Sequence, residues 1–167
     1  MLGETKQKNR ILLVDDHHMV RQGIRQLLEH ESDFQVVGEA DNGQAAVKLA
    51  RETKPDVIIM EVRISKDDGV EIVKRVKSEH PKAKVLILTA LEDEEHIVTL
   101  FVAGASGYLL KCADGEELVQ AIRAVRTGEY VYHPLIAQKV FNALKYASRQ
   151  LIPISSAEHL TRREVDV

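Results

Sequence analysis

Cysteine is almost missing from this chain, with one residue, Cys112, in 167. No disulfide framework can form within it, and a reducing cytoplasm is the natural setting for such a sequence. No apolar run approaches the length of a transmembrane helix, and no charged-then-apolar signal peptide opens the chain, so no membrane partner is expected. Positive charge is not in excess either. The net charge of −3 argues against a general nucleic-acid coat protein. The seven histidines show no metal-ligand spacing. His17 and His18 are adjacent rather than three or four apart on a helix face, and read as solvated or capping residues. Internal repeats and low-complexity segments are absent.

What remains is an ordinary globular composition, 44% hydrophobic and 29% charged. The length allows one well-buried domain and an appendage. Charge divides unevenly along it. Residues 1–130 hold 18 Lys and Arg against 23 Asp and Glu, whereas 131–167 hold 5 against 3. An acidic body with a mildly basic tail hints at two functions. Residues 1–9 are polar and are expected to be disordered.

From residue 10 to 128 apolar runs and helical faces alternate. Strands are expected at 10–14, 34–38, 56–60, 84–88 and 106–110, each nearly continuous in apolar character. Helices are expected at 17–30, 44–53, 70–79, 92–103 and from Asp114 to Gly128. Pro55 and Pro81 punctuate two of them. Gly104 is placed as a helix C-cap. Asp114 with Glu117 forms a capping box. Strands buried on both faces and joined by helices make a doubly wound parallel (βα)5 sheet of the α/β class. Such sheets bind ligands beyond the carboxyl ends of their strands. The residues at those ends are Asp15 and Asp16, Glu61, Thr89 and Lys111. No Gly-rich loop follows the first strand, which speaks against a flavodoxin-like cofactor enzyme on this frame.

Beyond Gly128 the alternation stops. A helix is expected from Pro134 to Lys145, and Arg149–Glu158, with Pro153 and Ser155-Ser156, reads as a linker. Residues 129–159 together are taken as a helical linker. Thr161-x-x-Glu164 is a second capping box, opening a helix that the sequence leaves after two turns. Residues 160–167 are therefore expected to begin a further domain.

Residues 10–128 resemble the receiver domain of bacterial two-component response regulators. Asp15-Asp16 match its acidic pair, and Glu61 falls on its phospho-acceptor aspartate. Gly69, eight residues on, matches its loop glycine. Thr89 falls on the switch Ser/Thr, Tyr108 on the switch aromatic, and Lys111 on the lysine. The stretches Leu13–His17, Ala103–Lys111 and Leu160–Glu164 look like the NarL/FixJ (LuxR-type) group. The resemblance implies a flavodoxin-like sheet in the order 2-1-3-4-5 and a C-terminal helix-turn-helix DNA-binding domain. It implies Mg2+ held by Asp15, Asp16, Glu61 and Arg63, and phosphate contacts from Thr89 and Lys111. A sensor histidine kinase, DNA and a second copy are the partners it implies. In that family, Thr moving toward the phosphate lets the aromatic at the Tyr108 position turn inward. No turnover of an external substrate is expected.

The departures cluster. The family commonly follows its acceptor with Leu-x-Met-Pro, and here Val62-Arg63-Ile64-Ser65 follows Glu61. Glutamate adds one methylene, roughly 1.5 Å of reach. Misplacement of about 1 Å can cost about 100-fold in a catalytic geometry. The longer carboxylate is expected to reach Lys111 directly and partly imitate a phosphorylated state. The leading expectation is a transcriptional response regulator with an atypical receiver that either signals without phosphorylation or sits in a fixed conformational bias. The alternative is a stand-alone receiver serving as a protein-interaction module without DNA binding.

Overall fold

The computed structural model describes residues 6–64, 66–90, 94–132 and 134–151. Chain order begins β1 (Asn9–Val14), α1 (His18–Glu29), β2 (Phe34–Ala40), α2 (Gly43–Thr53) and β3 (Val57–Met60). A ladder of two-residue strands, β4 (Arg63–Ile64) and β5 (Asp67–Asp68), follows, and then α3 (Gly69–Glu79). The chain continues through β6 (Lys84–Thr89), α4 (Glu94–Ala103), β7 (Gly107–Leu110), α5 (Gly115–Arg126), β8 (Val131–Tyr132) and α6 (Pro134–Leu151). The main sheet is parallel, in the order β2-β1-β3-β6-β7-β8.

Side-chain alternation along each strand fills two cores. Leu12, Val14, Ile58, Met60, Val85, Ile87 and Tyr108 face the layer built by α2, α3, α4 and α6. Ile11, Leu13, Val57, Ile59, Leu86, Leu88 and Leu109 face α1 and α5. This is why the strands read as unbroken apolar runs: both of their faces are covered.

Helix starts are set by short polar side chains. Asn42 accepts from the Ala45 N–H at 2.8 Å, Asp68 from Val70 at 2.9 Å and Asp114 from Glu117 at 2.8 Å. Gly104 (φ 115°) and Gly128 (φ 96°) terminate α4 and α5 in a conformation open mainly to glycine.

The five expected strands and their order 2-1-3-4-5 are present as β2-β1-β3-β6-β7, and two expectations need correction. Alternation does not stop at Gly128. Tyr130-Val131-Tyr132 supplies an edge strand, with the Val131 N–H donating to the Ser106 carbonyl at 3.1 Å. Two paired residues are too few to show a strand period, although the aromatic and β-branched content was a signal. The last helix also runs past Lys145 to Leu151, so residues 149–151 are helical. Pro153 restricts only the residue before it and leaves the helix free to reach 151. Residues 1–5, Ser65 and 152–167, which include the expected start of a further domain, lie outside the described residues, as do 91–93 of the acidic Glu92–Glu95 run.

Gly69 fixes the loop after β3. A Cβ there would run into the backbone carbonyl oxygen of Val62. Backbone cannot give way as a flexible side chain can. Gly69→Ala is therefore expected to destabilise the fold by roughly 1–3 kcal/mol. Urea unfolding followed by circular dichroism measures it, and unchanged stability would contradict the close approach.

A carboxylate-lysine site at the strand ends

Register brings the candidate residues together. Met60 on β3 lies between Val14 on β1 and Ile87 on β6, and Thr89 lies beside Leu110. Backbone pairing continues just past the strands. Asp15 N–H donates to Ala40 at 3.0 Å, Glu61 N–H to Val14 at 2.9 Å and Lys111 N–H to Thr89 at 2.8 Å. Each polar residue is thus the first one beyond, or the last one within, a buried strand.

Lys111 bridges two carboxylates. Its Nζ lies 2.8 Å from Asp15 Oδ2 and 2.7 Å from Glu61 Oε2. Asp15 and Glu61 are buried, at 5% and 6% exposure. The second oxygen of each is also engaged. Asp15 Oδ1 accepts from the His17 N–H at 2.8 Å and stands 3.0 Å from His17 Nδ1. Glu61 Oε1 accepts from the Val62 N–H at 2.7 Å, with the Arg63 N–H at 3.4 Å. Glu61 therefore curls back over its own chain while its other oxygen spans to β7.

Burial pushes the Asp15 carboxyl up, but hydrogen bonds from Lys111 and His17 and the charge of Lys111 outweigh it, so its pKa falls below the ordinary aspartate value. For Lys111, burial pushes down, and hydrogen bonds and charge from Asp15 and Glu61 outweigh it, so its pKa rises.

Asp16 stands 3.0 Å from His17 Nδ1 through Oδ1. Asp15, Asp16 and His17 offer ligand atoms within 4.8 Å of one another, and Glu61 is not in that group. Arg63 is exposed on β4. Thr89 and Tyr108 are buried, at 2% and 1% exposure, with Tyr108 in the core beside Ile97, Leu100 and Ile136.

Sequence reasoning missed two participants. His17 is exposed and is the N-cap of α1, as read, but its contacts with Asp15 through both backbone and ring were not foreseen. Arg21 Nη1 donates to the Asp15 carbonyl at 2.5 Å, and its Nε stands 3.4 Å from Glu39. The only sequence signal was an arginine on the first turn of α1, following the acidic pair. A surface hollow of about 670 Å³ lies at the opposite, amino end of the sheet. Its Asp33 and Arg123 are paired with each other, and it has no part in this site.

A doubly wound sheet with buried carboxylates and a lysine at its carboxyl edge is the frame of a receiver domain. The comparisons agree. Residues 11–123 match the family model described as the response regulator receiver domain. The transcriptional regulatory protein YxjL of Bacillus subtilis is 40% identical over 162 residues, 97% of this chain and 74% of that protein. LiaR of the same organism is 38% identical over 158 residues, 95% and 74% of the two chains. A LuxR-family two-component response regulator from Aurantimonas sp. SI85-9A1 superposes with TM-score 0.76 at 38% identity, covering 82% of this chain and 98% of that one. The chain belongs to the response regulator receiver family, and within it to the two-component regulators of the LuxR/NarL type.

The pKa directions set a pH dependence. Asp15 is depressed, so its contribution is present above its unfolded value near 3.8 and is lost as pH falls through the lower folded value. Lys111 is raised, so its contribution is complete below 10.5 and is lost as pH rises through the higher folded value. Replacing Lys111 by Met removes the main favourable partner of Asp15. The Asp15 titration midpoint is expected to move upward, and acid unfolding to begin at higher pH. Carboxyl-carbon NMR titration of wild type and Lys111→Met measures this, and an unmoved Asp15 midpoint would contradict the bridge.

Proposed function

We propose that this chain is the receiver-bearing part of a transcriptional regulator whose state is set by the Glu61–Lys111–Asp15 bridge rather than by phosphate. The observation that carries the reading is the 2.7 Å contact between Glu61 Oε2 and Lys111 Nζ. The extra methylene of glutamate, roughly 1.5 Å, takes the carboxylate to the lysine that otherwise serves an incoming phosphoryl oxygen. Its other oxygen is held by the Val62 N–H. Both acceptor oxygens are thereby occupied in a geometry poorly suited to attack. The buried Tyr108 supports a partial bias, because an inward aromatic accompanies the switched arrangement in this family.

Receiver domains generally bind Mg2+ at an acidic pocket. The donors here fit such an ion in kind: Asp15 and Asp16 are hard oxygen ligands, and water would complete the shell. Glu61 does not join that group, its Oε2 engaging Lys111 beside Asp15, and His17 offers nitrogen, which Mg2+ does not favour. When bound, the ion would offset repulsion between the carboxylates and a phosphoryl group. A sensor kinase and DNA, the latter through a C-terminal domain, are the partners this reading carries. The relatives named as transcriptional regulatory proteins support it over a stand-alone interaction module.

Acetyl phosphate with Mg2+ tests the reading. Intact-mass analysis is expected to show no acid-labile phosphate on the wild-type chain and its appearance on Glu61→Asp. Stoichiometric acid-labile modification at Glu61 would overturn it.

A further inference from the structure

The loop that follows Glu61 is fastened to the fold in several places. Gly69 admits the Val62 carbonyl, Ile64 is fully buried, and Asp68 caps α3. Asp67 makes a different attachment. It lies exposed on β5, and its Oδ2 accepts from the backbone N–H of Gly43 at 2.7 Å, 24 residues away in sequence. Gly43 opens α2, which has no acidic residue in its first turn and is capped separately by Asn42. A carboxylate at that helix start is favourable as a charge-assisted hydrogen bond and as a complement to the helix dipole.

The contact reaches the site through both of its ends. Ala40, on the chain just before α2, accepts from the Asp15 N–H at 3.0 Å. On the other side, Asp67 and Asp68 pair with Ile64 and Arg63. Val62 precedes Arg63, and its N–H holds Glu61 Oε1 at 2.7 Å. An inner bridge thus runs from Asp15 through Lys111 to Glu61. An outer one runs from Ala40 and Gly43 through Asp67 to Val62. Together they close a ring around the carboxyl ends of β1 and β3, with Asp67 as the side chain that carries the outer half across.

We propose that Asp67 is a positioning residue for Glu61. By clamping the β4–β5 hairpin to the start of α2, it holds the Val62 amide where Glu61 Oε1 is bonded and Oε2 reaches Lys111. The hairpin pairs only two residues on each side, too few to keep its geometry unaided. Without the clamp it shifts outward, the Val62 N–H leaves Oε1, and the glutamate side chain spends time away from the ammonium. The inference rests on the reading that the Glu61–Lys111–Asp15 bridge sets the state of the chain. What it adds is the residue that fixes the length of that bridge.

Nitrogen-15 NMR of the lysine ammonium groups tests it on the full chain. Lys111, held by two carboxylates, is expected to give a slowly exchanging ammonium signal, assigned by its absence in Lys111→Met. Asp67→Ala should speed its proton exchange at least about 10-fold, the order expected for losing one hydrogen bond to a charged group. Asp67→Asn, which keeps an acceptor for the Gly43 N–H, should restore most of the protection. Gly43→Pro removes the donor from the other side and should act like Asp67→Ala. Proline is tolerated at a first helical position, and Asn42 before it is already extended (φ −152°, ψ 166°). Asn42→Ala removes the separate cap of the same helix and should lower stability without moving the Lys111 signal. Circular dichroism checks the fold of each variant. A wild-type spectrum without the protected signal would overturn the bridge and the clamp together. A protected signal left unchanged by Asp67→Ala and Gly43→Pro, or disturbed as much by Asn42→Ala, would overturn the clamp alone.

Discussion

The position of one ammonium group governs the carboxyl edge of this sheet. Three parallel strands end side by side, and two of them deliver buried carboxylates into the same few ångströms. Two such charges repel, and burial removes the water that would screen them. Lys111 relieves both at once, at 2.8 and 2.7 Å. It arrives from β7, on the far side of β6, so the bridge also ties non-adjacent strands together beyond their ladders. Arg21 and His17 then hold Asp15 from the α1 side, through its carbonyl and its second oxygen. The site is an ionic closure of the sheet edge, and its shape follows from which oxygen each donor takes.

Much of this was legible in the sequence, for a physical reason. Strands covered on both faces must be apolar throughout, so the first polar residue after each run marks a strand end. Asp15, Glu61, Thr89 and Lys111 were found that way, and register did the rest. The parts that stayed hidden lack such a signature. β8 has two paired residues and no period to read. The β4–β5 ladder is equally short, and one of its members, Ile64, is fully buried although it sits in a loop by sequence. His17 and Arg21 act through a ring nitrogen and a guanidinium reaching a carbonyl, contacts that leave no mark on residue spacing. The extension of α6 was masked by Pro153, whose influence on the preceding backbone reaches less far than the polar composition suggested.

The two cores are not equivalent in what they connect. The α1–α5 side contains Leu88 and Leu109, neighbours of the site, packed with residues of α1 and α5. The other side joins Tyr108 to Ile97 and Leu100 of α4 and to Ile136 and Val140 of α6 in one contiguous cluster. Tyr108 is three residues from Lys111 on the same strand. A change in how that tyrosine packs is therefore felt at α4 and at α6. Close-packed interiors move between discrete arrangements rather than deforming smoothly. The fold thus places its ionic site and α6 at two ends of one packed cluster.

Glutamate at position 61 changes what can act on that cluster. A phosphoryl group brings about 1.5–2 negative charges and three acceptor oxygens. The Glu61 carboxylate brings at most one charge and two oxygens, one of them held by its own neighbour's amide. It can bias the arrangement only by the difference in its interaction with the two states. A bias built from one partly exposed lysine contact is small beside the roughly 5.5 kcal/mol needed to move an equilibrium from 1:99 to 99:1. On the proposed reading Glu61 therefore fixes a set point between the two arrangements instead of throwing a switch. On that reading regulation comes from something other than the acceptor, and the cluster coupled to Tyr108 reaches α4 and α6.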